Sequence, residues 1–104
     1  MKKKVLILGS SGMLGHVLYY YLTEQEKFDI VDISHRQKLS EKTILLDVQN
    51  EEKTTSIIKE VNPDIIVNCI GILIKESTSN PAKAIYINSY FPHYLSSLSQ
   101  QINA

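Results

Sequence analysis

The sequence predicts an α/β protein: a parallel sheet in the strand order 3-2-1-4 with helices on both faces, incomplete because later strands of such a sheet are absent. Three observations predict it. The apolar run Val5-Leu6-Ile7-Leu8 leads straight into Gly9, which reads as a buried strand ended by a turn. Helix-period segments then alternate with further apolar strands, and such alternation with right-handed crossovers gives a parallel sheet. Finally, Ile65 to Cys69 is apolar without alternation, the pattern of a parallel strand covered on both faces.

The first strand spans Lys4 to Leu8. A helix follows from Gly12 or Met13 to about Thr23, with Leu14, Val17, Leu18, Tyr21 and Leu22 spaced as one buried face. Tyr19 and Tyr20 flank that face as partial core, and His16 reads as a surface residue. Glu24 to Lys27 is a polar link to the second strand, Phe28 to Ile33. Ser34-His35-Arg36 stands at its C-terminal end. A polar connection, Gln37 to Lys42, precedes a short third strand, Thr43 to Leu46, which ends at Asp47.

Asn50 is placed to cap the second helix, whose apolar positions are Thr54, Ile57, Ile58 and Val61. Asn62-Pro63-Asp64 stops it. After the fourth strand, Ile70 to Ser79 reads as a loop. Asn80-Pro81 opens a third helical region with proline in its first turn. Pro92 is expected to break or kink that region. The piece beyond it carries Phe91, Leu95, Leu98 and Ile102 on one side.

A chain of 104 residues makes one small domain, and its formal net charge of zero gives no footprint for nucleic acid or an anionic membrane. Lys2-Lys3-Lys4 is a solvated lead-in rather than the start of a signal peptide, since the apolar run after it is short and breaks at Gly9. No stretch suffices to span a bilayer. The single cysteine, Cys69, excludes an internal disulfide and fits a reducing cytoplasm. His16, His35 and His93 lack ligand spacing with Cys or carboxylates, so no metal site is expected.

The chemistry concentrates at Gly9, Gly12 and Gly15, spaced G-x-x-G-x-x-G between a strand and a helix. This is the phosphate-holding corner of a dinucleotide-binding fold. Gly9 allows the tight turn, Gly12 lets a pyrophosphate approach the backbone, and Gly15 lets the helix pack close on the sheet. The helix N-terminus offers free N–H groups and partial positive charge. A phospho-receiver domain needs an acidic pair where Gly9-Ser10 stands, and a P-loop needs G-K-[ST] after the glycines; neither is present.

With its elements placed, the chain resembles the extended short-chain dehydrogenase/reductases, and among them the dTDP-4-dehydrorhamnose reductase-type nucleotide-sugar enzymes. The motifs are VLILGSSGMLGHVL at 5–18, Asp47-Val48 after strand three, PDIIVNCIGI at 63–72 and NPAKAIYINSYFPHYL at 80–95. The resemblance implies a Rossmann-like fold and a nicotinamide dinucleotide as partner. It implies that the backbone of Gly12, Met13 and Leu14 holds the pyrophosphate. Asp47 would accept from the adenine amino group with the Val48 backbone beside it; the residue-level alternative for Asp47 is a turn residue after a strand. Ile70, Gly71 and Ile72 would pass along the riboses, with Asn68 tying the loop backbone and Cys69 as packing. Asn88 stands at the family's helix-interrupting Asn, where a local backbone cap is an equal reading.

Cofactor choice turns on the end of strand two. A carboxylate there binds the ribose 2′-hydroxyl of NAD, whereas a basic residue accepts the 2′-phosphate of NADP. Asp32 lies seventeen residues past Gly15, with His35 and Arg36 just beyond. Arg36 forks readily onto a phosphate, which favours NADP, with NAD as the alternative.

The family's reductase chemistry uses a Ser/Thr on strand five and a Y-x-x-x-K pair on a later helix. No Y-x-x-x-K occurs in these 104 residues. The expectation is therefore the N-terminal part of an NAD(P)-binding domain, residues 1–104, without a substrate domain and without catalytic residues of its own. The full-length parent would reduce a 4-keto nucleotide sugar, as in polysaccharide biosynthesis. A non-catalytic dinucleotide-binding or sensing module is the alternative. Strand four would be left as an exposed apolar edge that invites self-association.

Overall fold

The computed structural model describes residues 2–71 and 79–104. It contains a four-stranded sheet in the order β3-β2-β1-β4, with every neighbouring pair parallel. The fold is Rossmann-like, as expected. β1 spans Lys3–Leu8, α1 Met13–Gln25, β2 Phe28–Ser34, β3 Ile44–Leu45, α2 Glu51–Val61 and β4 Ile65–Asn68. Two short α-helices follow, α3 (Pro81–Ile85) and α4 (Phe91–Ile102), joined by a π-helical turn, Tyr86–Tyr90.

β1 lies between β2 and β4 and is the most deeply buried strand. Its register sets Leu6 between Val31 and Ile66, and Leu8 between Ile33 and Asn68. Val5 to Leu8 are all buried. One face of the sheet carries the main core: Leu6, Leu8 and Ile33 pack with Ile58 of α2 and Ile87, Phe91, Leu95 and Leu98 from the C-terminal helices. At about 25 cal/mol per Å² of apolar surface removed from water, each such side chain contributes about 2 kcal/mol.

The second helix is as read. Asn50 Oδ1 accepts from the Lys53 N–H at 3.1 Å, and Thr54 and Ile58 are fully buried. Asn62 ends it in a left-handed conformation, φ 50°. Asp64 then locks β4 to β1 by accepting from the Lys4 N–H at 2.8 Å and donating its own N–H to the Lys4 carbonyl.

Several expectations are corrected. On α1, Leu14, Val17 and Tyr21 are not buried: they are 66%, 57% and 59% exposed. The contact stripe is Gly15 with half-buried Leu18, Tyr19 and Leu22. The cause is Gly15, where the helix approaches the Gly9 backbone most closely, so the helix rests on its glycine side. β4 is not covered on both faces, since Ile65 is 38% exposed and Asn68 is exposed as well. β3 is shorter than expected because Thr43 belongs to the preceding turn, its N–H donating to the Ser40 carbonyl at 3.2 Å. Of the two outcomes expected at Pro92, a break does not occur: the helical path continues, with a change of winding just before it. Pro92 occupies the first turn of α4, and the turn before it widens so that the Phe91 N–H reaches the Tyr86 carbonyl, five residues back. The change of winding accommodates a residue that has no N–H to give. Among the described residues, no helix is long and apolar enough to cross a membrane.

Candidate functional site

β1 hydrogen-bonds to β2 on one side and β4 on the other, while the chain from β1 runs toward β2 and later returns to β4. A crevice therefore opens at the C-terminal ends of these strands, where open α/β sheets bind ligands. The crevice here has a volume of about 340 Å³. Gly9, Ser11 and Gly12 form its base. Ser34, His35 and Arg36 wall it from the end of β2; Asp47, Val48 and Gln49 stand after β3, and Cys69, Ile70 and Gly71 after β4. Lys83 and Ile87 reach it from the C-terminal helices.

The glycine corner is built by backbone hydrogen bonds. The Gly9 and Ser10 N–H groups both donate to the Ile33 carbonyl, at 2.8 and 3.1 Å, and the Cys69 N–H donates to the Leu8 carbonyl at 2.8 Å. Gly9 has φ +82°, a conformation that favours glycine, and a Cβ there would stand 2.9 Å from Ile70 Cγ1. A Cβ on Gly15 would lie 1.9 Å from the Gly9 carbonyl oxygen, so the close helix packing expected of Gly15 is a steric requirement. Gly12 is different: its Cβ would meet only the Gly9 oxygen, at 3.4 Å. Gly12 faces the crevice and precedes α1, whose first amides have no helical carbonyl before them. Met13 and Leu14 are 89% and 66% exposed and are not among the residues that line the crevice.

Asp32 does not wall the crevice. It is 2% exposed, and its Oδ2 accepts from Ser10 Oγ at 2.6 Å and from Thr43 Oγ1 at 2.8 Å. Thr43 Oγ1 in turn accepts the N–H groups of Leu39 and Ser40, both at 3.1 Å. The carboxylate thus ties the glycine corner to the segment before β3. From β2 and the residues just after it, Ile33, Ser34, His35 and Arg36 line the crevice, and Ser34 Oγ donates to Ser11 Oγ at 2.7 Å.

Asp47 is half exposed. Its Oδ1 accepts the Gln49 N–H at 3.0 Å, an Asx turn, and its Oδ2 lies 3.7 Å from His35 Nε2. Asn68 Oδ1 accepts the Ile70 N–H at 3.1 Å and so ties the loop backbone as expected. Burial pushes the Cys69 thiol up, which suits packing rather than nucleophilic chemistry. Asn88 lies in the π-helical turn, outside the crevice wall; a Cβ on Gly71 would be 3.9 Å from its Oδ1. Ile72 lies outside the described residues. Among the described residues no cluster of His, Cys, Asp and Glu suits a metal ion.

The sequence reading did not single out Ser11, Ser34, Gln49 or Lys83. Ser34 carried a signal, as the last residue of a strand whose C-terminal end faces a switch point. Lys83 carried none, because its approach depends on the tertiary position of α3.

A tyrosine ladder fixes that position. Tyr86 OH donates to the Val48 carbonyl at 3.0 Å and Tyr90 OH to Glu51 Oε1 at 2.9 Å. Tyr90 stacks on Tyr94 with centroids 6.3 Å apart. All three hydroxyls are pushed above the ordinary tyrosine range. Burial comes first for Tyr86 and Tyr94, and the hydrogen bond to Glu51 comes first for Tyr90.

Comparison with known proteins places this geometry. The model of the NAD dependent epimerase/dehydratase family matches residues 5–103. Comparison with curated proteins gives no match. Among solved structures, the chain is similar to dTDP-4-dehydrorhamnose reductase from Bacillus anthracis in complex with NADP. There the identity is 26% and the TM-score 0.80, over 99% of this chain and 34% of that one. A hypothetical dTDP-4-dehydrorhamnose reductase from Sulfolobus tokodaii gives 22% identity and TM-score 0.86, over 100% and 37%. L-threonine dehydrogenase from Clostridium difficile gives 24% and 0.82, over 99% and 34%. The chain thus spans about a third of the length of the solved structures it matches.

Proposed function

The chain belongs to the NAD dependent epimerase/dehydratase family, and from that premise we propose that it is the dinucleotide-binding part of a nucleotide-sugar oxidoreductase of the dTDP-4-dehydrorhamnose reductase kind. The observation that carries the reading is the crevice: a glycine corner at its base, Asp47-Val48 at one wall, and a basic pair, His35-Arg36, at the end of β2. The residues fit a nicotinamide dinucleotide. Gly12 leaves room for a pyrophosphate beside the N-terminus of α1, and Gly71 exposes loop backbone along the path of a ribose. The cofactor, when bound, supplies or accepts a hydride. The protein's part is to hold it and orient it.

NADP is the favoured form. Asp32, the carboxylate near the C-terminal end of β2, is buried and engaged by Ser10 and Thr43, while Arg36 stands at the crevice wall. The Bacillus anthracis reductase, at 26% identity, supports the same choice and the same substrate class. The threonine dehydrogenase is similar in fold, so fold alone does not select the substrate. In the full-length protein the expected reaction is hydride transfer to a 4-keto sugar. The 104 residues hold no Y-x-x-x-K, and this favours a second reading of the chain taken alone: a binding module that does not turn over.

Equilibrium titration with NADPH and NADH tests the assignment. Arg36→Ala is expected to weaken NADPH about tenfold or more and NADH little, as loss of a charge-assisted phosphate contact predicts. Equal loss for both dinucleotides would remove Arg36 from the 2′-phosphate. Turnover of a dTDP- or UDP-4-keto sugar by the full-length protein, and none by residues 1–104, would separate the oxidoreductase from the module.

A further inference from the structure

We propose that Asp32 is a positioning residue for the dinucleotide: it touches no ligand, but it holds the glycine corner against the segment before β3 in the arrangement that binds one. The proposal rests on the dinucleotide reading above and adds to it three residues that lie outside the crevice wall. Asp32 is 2% exposed, and Ser10 and Thr43 are buried with it. None of the three lines the crevice.

A single oxygen joins two segments. Asp32 Oδ2 accepts from Ser10 Oγ at 2.6 Å and from Thr43 Oγ1 at 2.8 Å. Ser10 stands between Gly9 and Ser11, both of which line the crevice. The Gly9 and Ser10 N–H groups donate to the Ile33 carbonyl, so the Ser10 side chain is a further anchor on a turn already bent at Gly9. At the other end, Thr43 Oγ1 accepts the N–H groups of Leu39 and Ser40, so the turn before β3 is built around the same hydroxyl. A carboxyl group buried this deeply costs free energy unless it is hydrogen-bonded. An apolar side chain of similar size would fill this place in β2 without that cost, but would leave the two hydroxyls unjoined.

A phosphate is held at such a corner by backbone N–H groups, whose directions the turn sets. Fixing the turn in the folded chain removes an ordering cost from the binding step. With one hydroxyl gone, the corner keeps its backbone bonds but samples more orientations, and affinity falls for any ligand that carries the pyrophosphate. Arg36 stands two residues past β2, whose end is held by pairing with β1 and β3, so the ratio of NADP to NAD affinity stays as it is. The coupling is reciprocal: a ligand that fixes the corner also steadies Thr43 and the two amides it accepts.

The variants are Ser10→Ala, Thr43→Val and Thr43→Ser, each of which leaves Asp32 in place with at least one donor. Far-UV circular dichroism confirms that they are folded. Calorimetric titration with NADP+, NAD+ and ADP is expected to show affinity about threefold to tenfold weaker for Ser10→Ala and Thr43→Val, by the same factor for all three probes. Thr43→Ser restores the hydroxyl and is expected to bind as wild type does. The double variant Ser10→Ala, Thr43→Val should bind within about twofold of either single one, because both hydroxyls act through one carboxylate. Amide hydrogen exchange reads the reverse direction: ADP is expected to slow Leu39 and Ser40 in wild type and to leave them unchanged in Ser10→Ala. A network that only stabilised the fold would lower the urea midpoint and move neither readout. Wild-type affinity in the folded Ser10→Ala and Thr43→Val variants would overturn the inference. So would a loss confined to NADP+, losses that add in full, or exchange at Leu39 and Ser40 that ADP does not slow in wild type. Binding of none of the three probes by wild type would instead overturn the dinucleotide reading beneath it.

Discussion

At the residue scale, Gly12 and Gly15 separate two roles that one motif combines. Gly15→Ala would force a methyl into the Gly9 carbonyl, a backbone atom that cannot move aside. It is expected to destabilise the fold by about 3 kcal/mol, seen as a lowered urea midpoint. Gly12→Ala has room within the fold and is expected to leave that midpoint nearly unchanged while weakening NADPH binding. A Gly12 variant that unfolds as readily as the Gly15 variant would refute the separation. Asp32 makes a further contrast. Asp32→Ala removes the carboxylate that accepts from two buried hydroxyls and is expected to cost about 2 kcal/mol, without changing the ratio of NADPH to NADH affinity. A changed ratio, read by titration, would return Asp32 to the ribose. Sequence spacing alone left Asp32 and Arg36 as rivals for one place, because the turn into β2 decides which side chain faces the crevice. The buried Ser10–Asp32–Thr43 network joins residues from three segments, and no local pattern announces it.

At the scale of elements, the strands and α2 were legible because their signals are local: an apolar run, a cap, a stop. α1 was legible as a helix, but its buried face was not. Its apolar arc is wide enough to allow several orientations, and the contact that selects one is a glycine, which hydropathy does not weigh. The π-helical turn was legible only as a disturbance near Pro92. The tyrosine ladder ties that turn to Val48 and to Glu51 at the start of α2, with Tyr94 of α4 stacked on Tyr90, and this predicts a pH dependence. The folded-state values of Tyr86, Tyr90 and Tyr94 are raised. The unfolded chain therefore loses these protons first, near about pH 10. The contribution is fully present below that point and is lost as pH rises through the folded values. The urea midpoint is expected to fall on going from neutral to strongly alkaline pH. In a Tyr86→Phe, Tyr90→Phe double variant it should fall less steeply. Identical slopes would mean that other groups govern the alkaline transition.

For the molecule as a whole, burial is uneven between the two faces of the sheet. One face is closed by α2 and the C-terminal helices around Phe91. The other is covered by α1 alone among the described residues, and Leu14, Val17, Tyr20 and Tyr21 of that helix face solvent. Among the described residues β4 pairs only with β1, so its outer edge presents unpaired backbone groups beside a partly exposed Ile65. An apolar edge of this kind is a template for another strand, and the absence of net charge offers little repulsion between copies. The 104-residue chain is therefore expected to associate as its concentration rises, with mass by light scattering moving from one copy toward two or more. Ile65→Lys places a charge on the edge without entering the core around Phe91, and should hold the chain at the mass of one copy. If wild type and variant associate equally, the edge is not the contact and the exposed arc of α1 becomes the surface to substitute. If wild type stays at one copy throughout, neither surface binds a second copy, and the crevice operates in a chain that is stable with half of its sheet lightly covered.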